Sequence, residues 1–116
     1  MAVKTDPATL VRQARDLIEE FNRVVLDDER ELSAPALSES TQALKSLVER
    51  LPQAFEQTAY VLELLVKSDK VTVERGDVKT EVAATAAELR TVAAHIEQLG
   101  KSLANPASAL FLMGGR

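Results

Sequence analysis

The sequence contains no cysteine and no tryptophan, and it has few glycines and few aromatic residues. Without cysteine, a chain cannot form disulfides, thiol nucleophiles, iron–sulfur clusters or cysteine-based zinc sites. The four glycines form no glycine-rich phosphate loop. Three phenylalanines and one tyrosine offer little aromatic surface on which bases could stack, which disfavours binding of single-stranded nucleic acid. These absences exclude several classes of functional site.

The chain also lacks an excess of basic residues and any long apolar run. It carries 18 acidic and 14 basic residues, for a net charge of −4, so a general affinity for phosphate backbones is not favoured. The longest apolar run, residues 109–113, is far shorter than the roughly 20 residues of a membrane span. The first ten residues have one lysine and no apolar stretch typical of a signal peptide. We therefore expect a cytoplasmic protein.

The 116 residues, which we interpret as one domain, contain apolar side chains at alternating spacings of four and three. This spacing predicts α-helices with one apolar stripe each. Helix 1 is expected to begin at Pro7, after Asp6 as N-cap, because proline is tolerated at the first helical position. An acidic run predicts its end near Asp28, since carboxylates are unfavourable at a helix C-terminus. Its stripe consists of Leu10, Ala14, Leu17, Phe21 and Val24.

Helix 2 is predicted from about Ala36 to Ser68, although Pro52 lies in its middle. A proline there removes one backbone hydrogen bond, so a break into two helices is the alternative to one kinked helix. The stripe keeps its spacing across Pro52, and this favours one helix of roughly 50 Å. Its members are Leu37, Thr41, Leu44, Val48, Leu51, Phe55, Thr58, Leu62 and Leu65.

The connection that follows contains the tripeptide Arg75-Gly76-Asp77, which many extracellular proteins use to bind integrins. Local chemistry offers a simpler interpretation. Gly76 supplies the backbone freedom that a turn requires. Asp77 can accept hydrogen bonds from the first free N–H groups of helix 3. We therefore predict a structured loop and a helix cap rather than an integrin site.

Helix 3 is expected to start at Val78 and to end at Asn105-Pro106, because the residue before proline is pushed out of the helical region. Gly100 should cost this helix about 1 kcal/mol relative to alanine. The tail beyond Pro106 has room for one or two apolar turns. The helix 3 stripe consists of Val78, Val82, Thr85, Leu89, Val92, Ile96, Leu99 and Leu103.

These elements predict an all-α fold: an antiparallel, coiled-coil-like bundle of three main helices. A long helix 2–helix 3 hairpin forms its spine, and a short apolar turn follows at the C-terminus. Helix 1 is too short to cover the whole hairpin, so apolar surface remains on helices 2 and 3. This surplus predicts a homo-oligomer, most simply a symmetric dimer.

The sequence offers no catalytic or metal-binding pattern, and we expect neither enzymatic activity nor a cofactor or metal. His95 is the only histidine, and no carboxylate lies three or four residues from it. The Glu-x-x-His pairs of metal sites in helical bundles are therefore missing. No serine lies in the strand-to-helix context of a hydrolase nucleophile.

The favoured function is a non-enzymatic protein–protein interaction module of adaptor or regulatory type, which also self-associates through apolar helix faces. Its predicted anchor is the C-terminal turn, Leu110, Phe111, Leu112 and Met113, because phenylalanine and methionine are enriched at interface cores. The alternative for these residues is that they cap the bundle's own core. Two other hypotheses are a small dimeric DNA-binding regulator of bacterial, plasmid or phage type and a secreted helical-hairpin effector.

Overall fold

The computed structural model describes residues 5–115, and this part of the chain forms four α-helices and no strand. They are α1 (Pro7–Asp27), α2 (Ala34–Lys67), α3 (Val78–Ser102) and α4 (Ala104–Phe111). Helices α2 and α3 pack closely as a hairpin, which confirms the predicted all-α hairpin bundle. Residues 1–4, the start of the segment considered for a signal peptide, lie outside the described residues.

Helix α1 begins at Pro7 as predicted and ends one residue before the predicted Asp28. Asp6 occupies the N-cap position, but its side chain accepts no hydrogen bond from a backbone N–H of the helix. Its carboxylate instead accepts a hydrogen bond of 3.0 Å from the hydroxyl of Thr9. Asp6 therefore occupies the predicted cap position, but its carboxylate accepts a hydrogen bond from a side chain rather than from the helix backbone.

Helix α2 runs without interruption through Pro52, which confirms one long helix over two shorter ones. It starts two residues earlier than predicted, because the Ser33 hydroxyl accepts a hydrogen bond of 3.2 Å from the N–H of Ala36. Pro35 then falls in the first turn, where its missing N–H removes no helical bond. The helix ends at Lys67, and Asp69 adopts a positive φ of 55° just beyond it.

The loop before α3 has the local geometry that the sequence predicts. Gly76 has a φ of 84°, in the region that favours glycine. The Asp77 carboxylate accepts hydrogen bonds of 3.0 Å from the backbone N–H of Thr80 and 3.1 Å from its hydroxyl. Asp77 is therefore the N-cap of α3, and the Arg-Gly-Asp tripeptide forms the turn that starts this helix.

The boundary between α3 and α4 differs from the prediction. Helix α3 ends at Ser102, and Asn105-Pro106 lies in the first turn of α4 rather than at the end of α3. The physical reason is that Pro106 has no N–H to donate to the carbonyl of Ser102, four residues earlier, and its ring crowds that carbonyl. Helix α4 then packs mainly against α2, and the Gln42 side-chain amide donates a 3.5 Å hydrogen bond to the carbonyl of Ala107.

The most buried positions along the seam between α2 and α3 are mostly small residues. The buried residues of this hairpin include Ala59 on α2 and Ala86, Ala93 and Gly100 on α3. Small residues allow two helix backbones to approach closely. Across the same seam, Arg90 donates hydrogen bonds of 2.6 and 3.1 Å to both carboxylate oxygens of Glu63. The two helices of the hairpin are thus joined by close backbone packing and by one bidentate ion pair.

Helix α1 stands apart from this hairpin. No Cα atom of α1 lies within 8 Å of a Cα atom in the other three described helices. The radius of gyration is 19.2 Å, whereas a compact domain of this length has about 13 Å. The accessible surface is 9423 Å², about one and a half times the roughly 6,200 Å² expected for a compact monomer of this mass. The chain is extended and leaves much of its surface open.

Candidate protein interface

Helix α2 has two faces with different roles. Its seam residues recur at alternating spacings of three and four, and every one of them is buried or half-buried. This face packs towards α3. The seam residues of α2 are Thr41, Lys45, Val48, Pro52, Phe55, Ala59, Leu62 and Val66.

The second face of α2, called the outer series, has the same spacing, lies next to the seam and carries no charged residue. Many of its members are exposed, among them Leu47 and Val61. An uncharged face along the whole of a long helix is typical of a surface that another helix covers. The outer series consists of Leu37, Ser40, Leu44, Leu47, Leu51, Ala54, Thr58, Val61 and Leu65.

Helix α3 adds two apolar residues on the same side of the hairpin, where Glu88 and His95 also lie. Val92 and Leu99 each precede a buried seam residue of α3 by one position, just as Thr58 and Leu65 precede seam residues of α2. Two antiparallel helices in contact are related by a local two-fold axis. Residues that precede a seam residue by one position therefore lie on the same side of the pair in both helices. Val92 is 40% exposed and Leu99 is 60% exposed. We call the exposed part of this surface the hairpin face; it consists of Ala54, Thr58, Val61 and Leu65 on α2 with Val92 and Leu99 on α3.

Helix α1 covers only the beginning of the outer series. Its Ile18 and Phe21 line an apolar groove of about 170 Å³ together with Leu44 and Leu47 of α2. These four side chains stay half-buried or exposed, so α1 packs only loosely on α2 here. The large apolar residues of α1 before Ile18 are more exposed: Leu17 is 66% exposed. We call Pro7–Leu17 the α1 arm; its apolar members are Leu10, Val11, Ala14 and Leu17.

The predicted C-terminal anchor lies at the end of α4 and just beyond it. Leu110 is half-buried, whereas Phe111, Leu112 and Met113 are exposed. Phe111 is 74% and Leu112 82% exposed. Phe111, Leu112 and Met113 thus form a second exposed apolar segment at the end of α4, which we call the C-terminal patch.

Polar groups near the junction of α2, α3 and α4 pair with each other. A shallow groove of about 610 Å³ lies there. Two ion pairs stand on its walls, Lys45–Glu49 at 3.1 Å and Lys101–Glu97 at 3.9 Å. His95 is exposed on α3 and lines none of the grooves described above. In residues 5–115, no cluster of three or more histidine or carboxylate side chains is arranged to hold a metal ion.

The ion pair across the seam perturbs the pKa values of both its members. The hydrogen bonds from Arg90 lower the pKa of Glu63 below its ordinary value, against the opposing effect of partial burial. The same hydrogen bonds raise the pKa of Arg90. This pair joins α2 to α3 and therefore has a structural explanation.

Comparisons with protein-family models, curated proteins and solved structures find no match to this chain. Among the described residues, no helix combines the length and the apolar character that a membrane span requires. The candidate interface is therefore interpreted from the residues of this chain alone.

Sequence reasoning did not separate the two faces of α2. It assigned one stripe that mixes seam residues such as Val48 and Leu62 with outer residues such as Leu51 and Leu65. The signal that could have separated them is a second series, because Leu47, Ala54 and Val61 add an apolar edge that one stripe does not need. The exposure of the α1 arm has no comparable signal, because an amphipathic helix has the same pattern whichever chain it packs against.

Proposed function

We propose that this chain is a non-enzymatic protein–protein interaction module that acts through apolar helix faces and associates with itself. One observation carries the proposal. Fifteen large apolar side chains of the described residues are at least 37% exposed, while no large side chain there is fully buried. Several of them lie side by side on the hairpin face, and contiguous apolar patches on a soluble protein mark interaction sites.

The composition of the monomer's core supports the same conclusion. The buried apolar residues are Val82 and four alanines, Ala59, Ala86, Ala93 and Ala107. Each buried methylene stabilises a fold by about 0.8 kcal/mol, so alanines contribute little. A chain with so small a core depends on association for much of its stability.

The C-terminal patch supplies a second contact for a partner in this proposal. Exposed Phe111 and Met113 are of the residue types that are enriched at protein interfaces. We propose the cytoplasm as the compartment, in keeping with a chain that contains no cysteine. A dimer is the simplest self-association.

Two measurements test this function. Light scattering over a range of concentrations measures self-association, and a pull-down from the native host with the purified chain detects other partners. We expect a mass above the 12.6 kDa of one chain, or a partner whose capture is lost in a Phe111→Ser, Leu112→Ser variant. A chain that is monomeric at every concentration and captures no such partner contradicts the proposal.

A further inference from the structure

We infer that two copies form a symmetric dimer in which the α1 arm of each copy packs on the hairpin face of the other. This inference rests on the proposed function and names the partner as a second copy of this chain. Its starting point is that one chain contains two unpartnered apolar surfaces, an exposed helical arm and an exposed helical face.

A chain cannot cover the far part of its own hairpin face with its own α1. Helix α1 has 21 residues and is therefore about 30 Å long. Residues 28–33 connect its C-terminal end to the start of α2, so α1 can only run back along α2 from that end. With Ile18 beside Leu47, Pro7 reaches about 36 Å from the start of α2, whereas Val61 and Leu65 lie about 40 and 46 Å from it. They are beyond the reach of α1 in the same chain.

The two surfaces match in length. The α1 arm, Pro7–Leu17, spans about 15 Å, and the α2 part of the hairpin face, from Ala54 to Leu65, spans about 17 Å. Both are apolar stripes with helical spacing, so side chains of one can pack between those of the other. A two-fold axis makes both contacts at once and leaves no open end, as a closed dimer requires.

Charge at the border of the hairpin face fits the arm. Glu81 and Glu88 of α3 lie near Thr85 and Val92 on the helix surface, and neither forms an ion pair among the described residues. The arm carries Arg12 and Arg15, whose ion pairs with Asp6 and Asp16 are exposed and therefore weak. Opposite charges at the rim of an interface set its orientation more than its affinity.

The exposed area is sufficient for such a dimer. The chain exposes 9423 Å², which exceeds the expectation for a compact monomer by roughly 3,000 Å². Obligate dimers bury on the order of 1,000 to 2,500 Å² per subunit. The excess is therefore large enough for a permanent interface.

Disulfide trapping tests the exchange directly, because the chain has no cysteine of its own. A Leu10→Cys chain and a Val61→Cys chain with tags of different size are mixed and oxidised. We expect the mixed disulfide dimer to be the main product. The matched control pairs Leu26→Cys with Val61→Cys. Leu26 is 70% exposed, but it lies on the face of α1 opposite to Leu17. It should therefore crosslink at least tenfold more slowly.

Other products would overturn the exchange. A dominant disulfide between two Val61→Cys chains means that the hairpin faces pair with each other. If one chain carries both Leu10→Cys and Val61→Cys, a disulfide within that chain means that α1 closes on its own hairpin. A mass near twice 12.6 kDa without the Leu10–Val61 crosslink removes the exchange but leaves self-association in place. A strictly monomeric chain removes the dimer, and the proposed function then depends on the pull-down alone.

A substitution gives an independent measurement. Leu17→Asp puts a charge in the arm's contact and should halve the mass measured by light scattering, whereas Leu26→Asp should leave it unchanged. An unchanged dimer mass for Leu17→Asp contradicts the inference. If Leu17→Asp unfolds the chain, the disulfide products still decide between the arrangements.

Discussion

At the scale of single residues, two positions at the ends of α3 show how local chemistry affects the stability of this helix. Asp77 caps its first turn through a 3.0 Å bond to the N–H of Thr80. Gly100 lies near its end, buried against the side chains of Val48 and Glu49. Both positions are predicted from the sequence, and both allow a measurement with a defined sign.

Replacing Asp77 with alanine should destabilise the protein by about 1 kcal/mol, because the first N–H groups of α3 lose their acceptor. Urea denaturation followed by circular dichroism measures the change. Asp77→Asn, which keeps an acceptor oxygen at the cap, should retain most of the stability. An unchanged midpoint for Asp77→Ala would show that the cap contributes nothing and would return the Arg-Gly-Asp tripeptide to consideration as a binding motif.

Gly100→Ala should stabilise the protein by about 0.5 to 1 kcal/mol, because alanine restricts the unfolded chain and favours the helix. A Cβ at this position would lie 3.7 Å from Cγ of Glu49 and 3.9 Å from Cγ1 of Val48, which is ordinary van der Waals contact. Thermal denaturation of the purified variant measures the shift. Gly76→Ala is the matched opposite, because at a φ of 84° alanine is strained and should lower the melting temperature.

At the scale of elements, the α2–α3 hairpin combines small residues along its seam with one ion pair across it. The seam brings the backbones close, while the pair Arg90–Glu63 links the two helices at 2.6 Å. The side chains of this pair are 41% and 40% exposed, so solvent screening keeps its contribution modest. Its pH dependence is nevertheless distinctive.

The pKa of Glu63 is lower in the folded chain than its ordinary value of 4.5, chiefly because of the hydrogen bonds from Arg90. Its stabilisation is therefore fully present above the ordinary pKa and is lost as the pH falls through the lowered one. Glu63→Gln should reduce the melting temperature at pH 7. The difference from the wild type should shrink as the pH falls below 4.5 and disappear once the pH is below the lowered pKa of Glu63.

The control for this measurement is Glu19→Gln on α1. Glu19 is exposed and forms no ion pair among the described residues. Its variant should therefore melt like the wild type at both pH values. A Glu63→Gln deficit that persists unchanged at pH 3 would mean that the effect comes from packing rather than from charge.

At the scale of the whole molecule, surface exceeds core. The described helices bury few side chains, and α1 makes no close backbone approach to the rest. If association supplies the missing burial, folding and binding become one equilibrium. Stability then depends on the concentration of the chain.

We expect the melting temperature to rise by several degrees when the chain concentration is raised a hundredfold. For a two-state dimer, mass action adds about 1.4 kcal/mol per tenfold change. Differential scanning calorimetry over that range measures the shift. A melting temperature that is independent of concentration, combined with cooperative unfolding, would show that the monomer is stable on its own and would count against obligate self-association.

Much of the fold could be predicted from the sequence because local rules operate on short segments. Asp6-Pro7 and Asp77 locate the starts of α1 and α3, and the stripe that keeps its spacing past Pro52 predicts one helix. The sequence does not single out the start of α2, because Ser33, Ser38 and Ser40 are all candidate N-caps. The end of α3 was predicted two to three residues too late. Proline acts on the carbonyl four residues before it as well as on the residue next to it.

The sequence by itself determined which segments are helical and that apolar surface would exceed what one short helix can cover. It could not determine how each stripe is used, because periodicity reports that a face is apolar and not what covers it. Only the tertiary structure decided that α2 turns the face with Ala59 and Pro52 towards α3, and that much of its outer series and the α1 arm remain exposed. The reason is that packing depends on side-chain volumes across two helices, which no single segment contains.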